Sequence, residues 1–274
     1  MRMRIFAVCL IIAALGDFCW GAEKQKNIEK QLRGKIEGGI YRLLKPYVAD
    51  NLEFESGGRI SGASETGSPA VNGFLQITSL SLNKQALRVA GWRVVAALPP
   101  GPNERFVMVV TDLPIHIAIH LAQPISDELD GQAAWARVFS VGDPNEGLAG
   151  FWKPFAEDKG DGKTTQHNDT DGVIGLLNDR PVYPSVSELV TQPQFRKSHR
   201  AEHHSSPELI GGHASIRMII DEGGRPALMI ADNPADPLQS DAIASASRLS
   251  FTPATKDGTP VSVLMLFETD HRIH

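Results

Sequence analysis

Nine histidines are the side chains in this 274-residue sequence best suited to metal or proton chemistry, and their spacing decides what they can do. His199 and His203 stand i,i+4 in a polar, helical-looking stretch with His204 beside them, which would put two imidazoles on one helix face. No carboxylate-rich signature frames them, so they read as solvated side chains of a connecting segment. His116 and His120 lie four apart in an alternating run, about 13 Å along a strand, too far to share one ion. The stretch His167–Gly172 (HNDTDG) has the composition of a calcium loop. An EF-hand would need an acid at His167 and a Glu at Asn178, and neither is present. Asn168-Asp169-Thr170 matches a glycosylation sequon and carries no further support. No Gly-x-Ser-x-Gly elbow, phosphate loop or dinucleotide fingerprint occurs. Trp92, Trp135 and Trp152 are expected in the core. The residues therefore predict a protein that is not an enzyme and holds no cofactor or metal.

Charge and cysteine usage narrow the class further. The formal charge is -5 with a pI near 6.0. No basic surplus exists to neutralise phosphates, which excludes a nucleic-acid partner. Arg2 and Arg4 precede an apolar run, Ile5 to Leu15, that stops before Asp17. That run is shorter than the ~20 residues a membrane span needs. With Cys19-Trp20-Gly21 before a cut at Gly21/Ala22, residues 1–21 read as a secretory signal. Cys9 and Cys19 are the only cysteines, so the exported chain would have no thiol or disulfide. Losing Arg2, Arg4 and Asp17 takes the charge from -5 to -6.

The elements that must position any site divide into two parts. Ile28, Leu32 and Ile36 mark one amphipathic helix. Leu52-Glu53-Phe54 runs into a Gly57-Gly58 turn. Phe74–Leu82, Ala86–Leu98, Phe106–Val110 and Ile115–Leu121 are β-branched or aromatic runs bounded by turn residues. They predict an antiparallel, β-rich domain over 22–150. Residues 156–172 hold no large apolar side chain, three glycines and seven charges. They predict a polar, flexible linker within 151–180. A second domain, 181–274, follows.

Its elements are predicted in the order helix, strand, strand, helix, strand. Ala214, Ile216, Met218 and Ile220 share one strand face before the Asp221-Glu222-Gly223-Gly224 turn, and Arg225–Ala231 returns. Asp236, Pro237 and Gln239 open a helix striped by Leu238, Ala242, Ala246 and Leu249. Asp257-Gly258 and Pro260 introduce a last strand in which Val261, Val263, Met265 and Phe267 alternate with Ser262, Leu264, Leu266 and Glu268.

This ordered set resembles the C-terminal domain of the TonB family over about residues 185–271. The residues that carry it are Gln192-Pro193-Gln194-Phe195, Gly211-Gly212, Ile219 to Gly224, Leu238 with Ala242, Phe251-Thr252-Pro253-Ala254 and Gly258-Thr259-Pro260-Val261. The pattern departs from the family where Arg196 follows Phe195 in place of a second proline. A Pro-rich rod and a His-bearing membrane helix are also missing. The resemblance implies an α+β C-terminal domain, a small three-stranded antiparallel sheet with two helices. It also implies that Gln192, Pro193, Gln194 and Phe195, with the edge strand Val261, Ser262, Val263, Leu264, Met265, Leu266 and Phe267, receive an extended peptide. The partner so implied is an envelope protein such as a TonB-dependent outer-membrane transporter, bound by strand addition. The other reading is a periplasmic structural module that forms a homodimer through this domain. A small-molecule carrier built on the β-rich half has no sequence signal. Mass spectrometry of protein recovered from the cell envelope is expected to give a chain beginning at Ala22; recovery of only the full-length chain, in the inner membrane, would reverse the export reading.

Overall fold

The fold is taken from a computed structural model, which describes residues 23–100, 105–140, 143, 145–154, 172–197 and 212–271. The signal segment, His199, His203 and His204 and the loop at 167–171 lie outside the described residues, as does the first helix expected in the C-terminal part. The chain is mixed α/β, with few helices around one large mixed sheet. Among the described residues no helix is long and apolar enough to cross a membrane.

The local predictions hold where hydrophobic period and turn chemistry agree. Helix α1 runs through residues 23–36 and buries Ile28, Leu32 and Ile36, the striped face. β1 (Ile40–Leu43) and β2 (Asn51–Phe54) follow, then the short helix α2 (Pro69–Asn72). β3 (Phe74–Leu82) and β4 (Ala86–Leu98) coincide with the two longest β-rich runs, while the next two runs merge into β5 (Val107–His120). β1, β3, β4 and β5 form an antiparallel ladder, but β2 lies parallel to β5, which the expectation of a purely antiparallel half did not contain. Gly91 permits the close β3–β4 approach: a Cβ there would stand 2.1 Å from the Gln76 carbonyl oxygen. α3 (Glu128–Ala136), capped by Asp127, and β6 (Phe139–Ser140) close this half. Trp135 stacks on Phe139 at 3.9 Å between ring centroids, inside the core as expected.

The C-terminal strands are β11 (Gly212–Ile220), β12 (Pro226–Ile230) and β15 (Thr259–His271), antiparallel in the order β12-β11-β15. Asp221 shapes the first hairpin, its Oδ1 accepting from the amides of Gly223 and Arg225. α4 (Pro237–Ala246) is capped by Asp236, which accepts from the amides of Leu238 and Gln239. Gln239 turns its side chain to the Asn233 amide, so the second half of the expected capping box goes to a different partner. Ala242, Ile243 and Ala246 are fully buried on the inner side of this helix. β13 (Ser250–Thr252) and β14 (Ala254–Lys256) lead to the Asp257-Gly258 turn. Both residues have positive φ, 51° and 79°, the type I′ geometry that suits the twist of a two-residue hairpin.

The expected division into two domains does not describe this sheet. Inside the expected linker, 151–180, β7 (Trp152–Pro154) and β8 (Gly175–Leu177) pair, and β8 continues to β9 (Arg180–Pro184). β9 then lies parallel to β15, and β12 lies parallel to β4 through Met229↔Ala97 and Ile230↔Leu98. Residues 93–98 of β4 are buried without alternation because both faces of the sheet are covered here. Val95 and Ala97 join the core of Ile216, Met218 and Met229 on one face; Val94 and Ala96 join Ile219 and Leu228 on the other. Each Val, Ile, Leu or Met among them contributes about 1.5–3 kcal/mol by leaving water, so parting the halves would forfeit many of them at once. A protease site inserted between residues 156 and 172 is therefore expected to give two fragments that co-elute in gel filtration and separate only in denaturant. Two fragments that part in native buffer would restore the two-domain arrangement.

Candidate functional site

Two features of this sheet can engage another molecule: the edge of its last strand and a cleft at the seam between its halves.

The edge of β15 is partly occupied by the chain itself. On one side β11 pairs it from Val263 to His271, and β14 pairs it from Thr259 to Val261. On the other side β9 pairs only Ser262, Val263 and Leu264. β9 ends at Pro184, just after which the Ser185 amide makes the last bond to β15, and the chain turns away through Ser187 N–H to Pro184 C=O at 3.1 Å. The Leu264 carbonyl accepts from the Ser185 amide at 3.0 Å, so Leu264 turns its backbone toward β9. Backbone groups alternate along a strand, hence Leu266 and Glu268 turn theirs to the same side, where no strand follows among the described residues. Leu266 is 55% exposed, while Val261, Met265 and Phe267 pack on the core beside buried Val263. The expected edge of 261–267 is thus open only past Leu264; Val261, Ser262 and Val263 belong to the closed part.

The Gln192–Phe195 segment is not joined to that open stretch. β10 (Gln194–Lys197) pairs with β13 through Gln194↔Thr252 and Phe195↔Phe251, and the two rings meet edge to face at 5.8 Å. Just before it, the Thr191 amide donates to the Thr255 carbonyl of β14 at 2.8 Å. Since β14 lies on the β11 side of β15, Gln192, Pro193, Gln194 and Phe195 sit toward the opposite edge from Leu266. Gln194 and Phe195 form their ladder with β13, their backbone groups alternately toward that strand and away from it. The structure therefore splits the expected single peptide site in two.

The seam cleft was not foreseen. It encloses about 880 Å³ between β4–β5, α2, the start of β12 and the α4–β13 corner. Its floor is Arg93, only 3% exposed. The guanidinium donates to the Asp50 carboxylate at 3.3 Å, to the Asn72 carbonyl at 3.3 Å and to the Val48 and Ala49 carbonyls. Burial lowers the Arg93 pKa from its ordinary value, and the neighbouring Asp50 works against that shift. Opposite Arg93 the ladder opens: Trp92 pairs with Pro114 and Val94 with Val110, leaving Thr111, Asp112 and Leu113 against one residue of β4. Thr111 pins this bulge by donating from Oγ1 to the Arg93 carbonyl at 2.9 Å. Bulges of this kind re-aim side chains, and here Asp112 and Leu113 face the cleft. Arg248 ion-pairs with Asp112, and Arg225 ion-pairs with Glu65. Trp92, expected in the core, is 39% exposed on the cleft wall.

His120 Nε2 lies 3.7 Å from Glu53, and no group of three metal-ligating side chains occurs among the described residues. No family model, curated protein or solved structure matches the chain.

The sequence signal for the cleft was Arg93 itself, a cation inside the apolar run Trp92–Leu98, with Pro114 splitting the following strand. Arg93→Met is expected to destabilise the protein by about 3–5 kcal/mol in urea unfolding, because it strands three carbonyls and removes a buried cation. Asp50→Asn, at a side chain 58% exposed, should cost about 1 kcal/mol. Equal losses would mean that the ion pair, not the carbonyl cage, holds Arg93.

Proposed function

We propose that the chain binds an extended segment of an envelope partner, such as a TonB-dependent transporter, by adding it as a strand to the open edge of β15. The observation that supports this reading is the mismatch in length between β15, which runs to His271, and β9, which leaves it after Leu264. Past that point one edge of a long, well-anchored strand offers the Leu266 and Glu268 backbone groups. The β11 ladder on the other side keeps the template rigid, so little ordering entropy would be lost on binding. Exposed Leu266 would supply one apolar contact per repeat of the added strand. The export expected for residues 1–21 would deliver this edge to the envelope.

The order strand, strand, capped helix, strand supports the resemblance that suggested the partner. Its expected site is revised: the partner would use the stretch beyond Leu264 and not the Gln192–Phe195 segment. The test exploits alternation. Leu266→Pro removes an outward N–H that no internal strand uses, so the melting temperature should stay within about 3 °C of wild type while capture of the envelope partner is lost. Phe267→Pro removes a donor to β11 and should unfold or strongly destabilise the domain. Leu266→Ala should weaken capture only about fivefold, or ~1 kcal/mol. If folded Leu266→Pro captures the partner as well as wild type, strand addition at this edge is wrong.

A further inference from the structure

The seam cleft carries chemistry that strand addition does not use. We propose that it is a binding site for a small organic anion with a flat apolar body, its carboxylate held by Arg248 and Arg225 and its body laid on Trp92.

Charge is the first argument. The protein is acidic overall, at -5, yet the cleft gathers three arginines, Arg93, Arg225 and Arg248, each with one carboxylate beside it, Asp50, Glu65 and Asp112. Arg93 is also consumed by its carbonyl cage, whereas Arg225 and Arg248 each hold a single carboxylate on an exposed side chain, Glu65 and Asp112, that a ligand can displace.

The second argument is an incomplete fork. Arg248 meets Asp112 through one terminal nitrogen only, while its Nε is buried and has no acceptor. An Arg fork matches a carboxylate with two parallel N–H bonds, and an unmade buried one is costly. Asp112 stands on the Thr111–Leu113 bulge with its side chain 45% exposed, so it can swing to water and yield Arg248 to an incoming carboxylate. In the unliganded chain Asp112 occupies one arm of the site the ligand would fill.

The third argument is the wall. Trp92 exposes its ring beside Leu113, Pro114 and Leu249, an apolar surface next to two cations. Pockets of this volume with a few convergent polar groups are the usual size for small ligands. A flat ring buries well against an indole face, and its carboxylate then falls on the arginine side.

The experiment uses 2-naphthoate and its neutral analogue 2-naphthylmethanol, titrated into the 15N-labelled protein. The readout is the Trp92 indole N–H resonance, identified by its absence in Trp92→Phe. The expected result is saturable movement of that resonance with naphthoate and none with the alcohol. Arg248→Gln should weaken naphthoate at least about tenfold, and Asp112→Asn should strengthen it about threefold by removing the competing carboxylate. These opposite signs separate a ligand role from a fold defect, since both variants lose the same ion pair. Equal binding of the alcohol, equal weakening by both variants, or no saturation with either probe up to about 10 mM would overturn the proposal.

Discussion

The structure depends on one short contact, the parallel pairing of β12 with the end of β4. β3 occupies that edge of β4 only as far as Val94, and β12 takes it over at Ala97 and Leu98, with the Ala231 amide donating to the Leu98 carbonyl at 3.1 Å. Two residue pairs would be a weak joint if hydrogen bonds alone held it. The joint holds because β4 is apolar on both faces here, and both cores of the C-terminal half close over it. Ser68 reinforces the seam: its hydroxyl accepts from the Ala70 amide as the cap of α2 and donates to the Ala227 carbonyl of β12 at 2.5 Å. One buried hydroxyl thus starts a helix in one half and ties it to a strand of the other.

Arg93 follows from the same joint. The strand passes from one-sided to two-sided burial at residue 93, and a cation placed there cannot reach water past the added layer. It is stable only because carbonyls of 48, 49 and 72 turn inward to meet it, which draws the loop before β2 and the end of α2 onto the sheet. A buried charge so caged fixes the shape of its surroundings more than it adds stability. The cleft is the space left beside that cage.

Much of this was legible in the sequence, and what was not has a physical cause. The bounds of β3 and β4, the start of α4 at Pro237, the face of α1 and the two turns at Asp221 and Asp257 follow from periodicity and turn chemistry, which are local. The union of the halves is non-local. The polar run 156–172 signals a break in the chain, and composition cannot reveal that strands on either side of it, β7 and β8, pair with each other. The clue that did exist was the stretch Val94–Leu98, apolar without alternation, which marks a strand covered on both faces. Trp92 was misread because its size suggested core, whereas alternation along β4 sets it with exposed Arg88 and half-buried Ala90, on the face opposite buried Leu87, Val89 and Gly91. Among the residues expected to bind a peptide, Leu266 keeps an open edge while Val261 to Val263 do not, because β14 pairs Val261 and β9, a strand at the start of the expected second domain that no periodicity marked, pairs Ser262 and Val263.

Both candidate sites arise where a ladder ends or shifts register. β9 ends at Pro184 and leaves β15 uncovered beyond Leu264; the β4–β5 ladder breaks between Trp92 and Val94 and bulges out Asp112 and Leu113; β12 begins at Pro226 on the far side of the cleft. At each of these points neighbouring backbone or side-chain groups become available to something other than the sheet. The middle of the sheet has no such interruption and is closed on both faces. A chain whose halves merge into one sheet would otherwise hide its polar groups in ladders, so the positions of these ladder ends and this bulge decide where the molecule stays open.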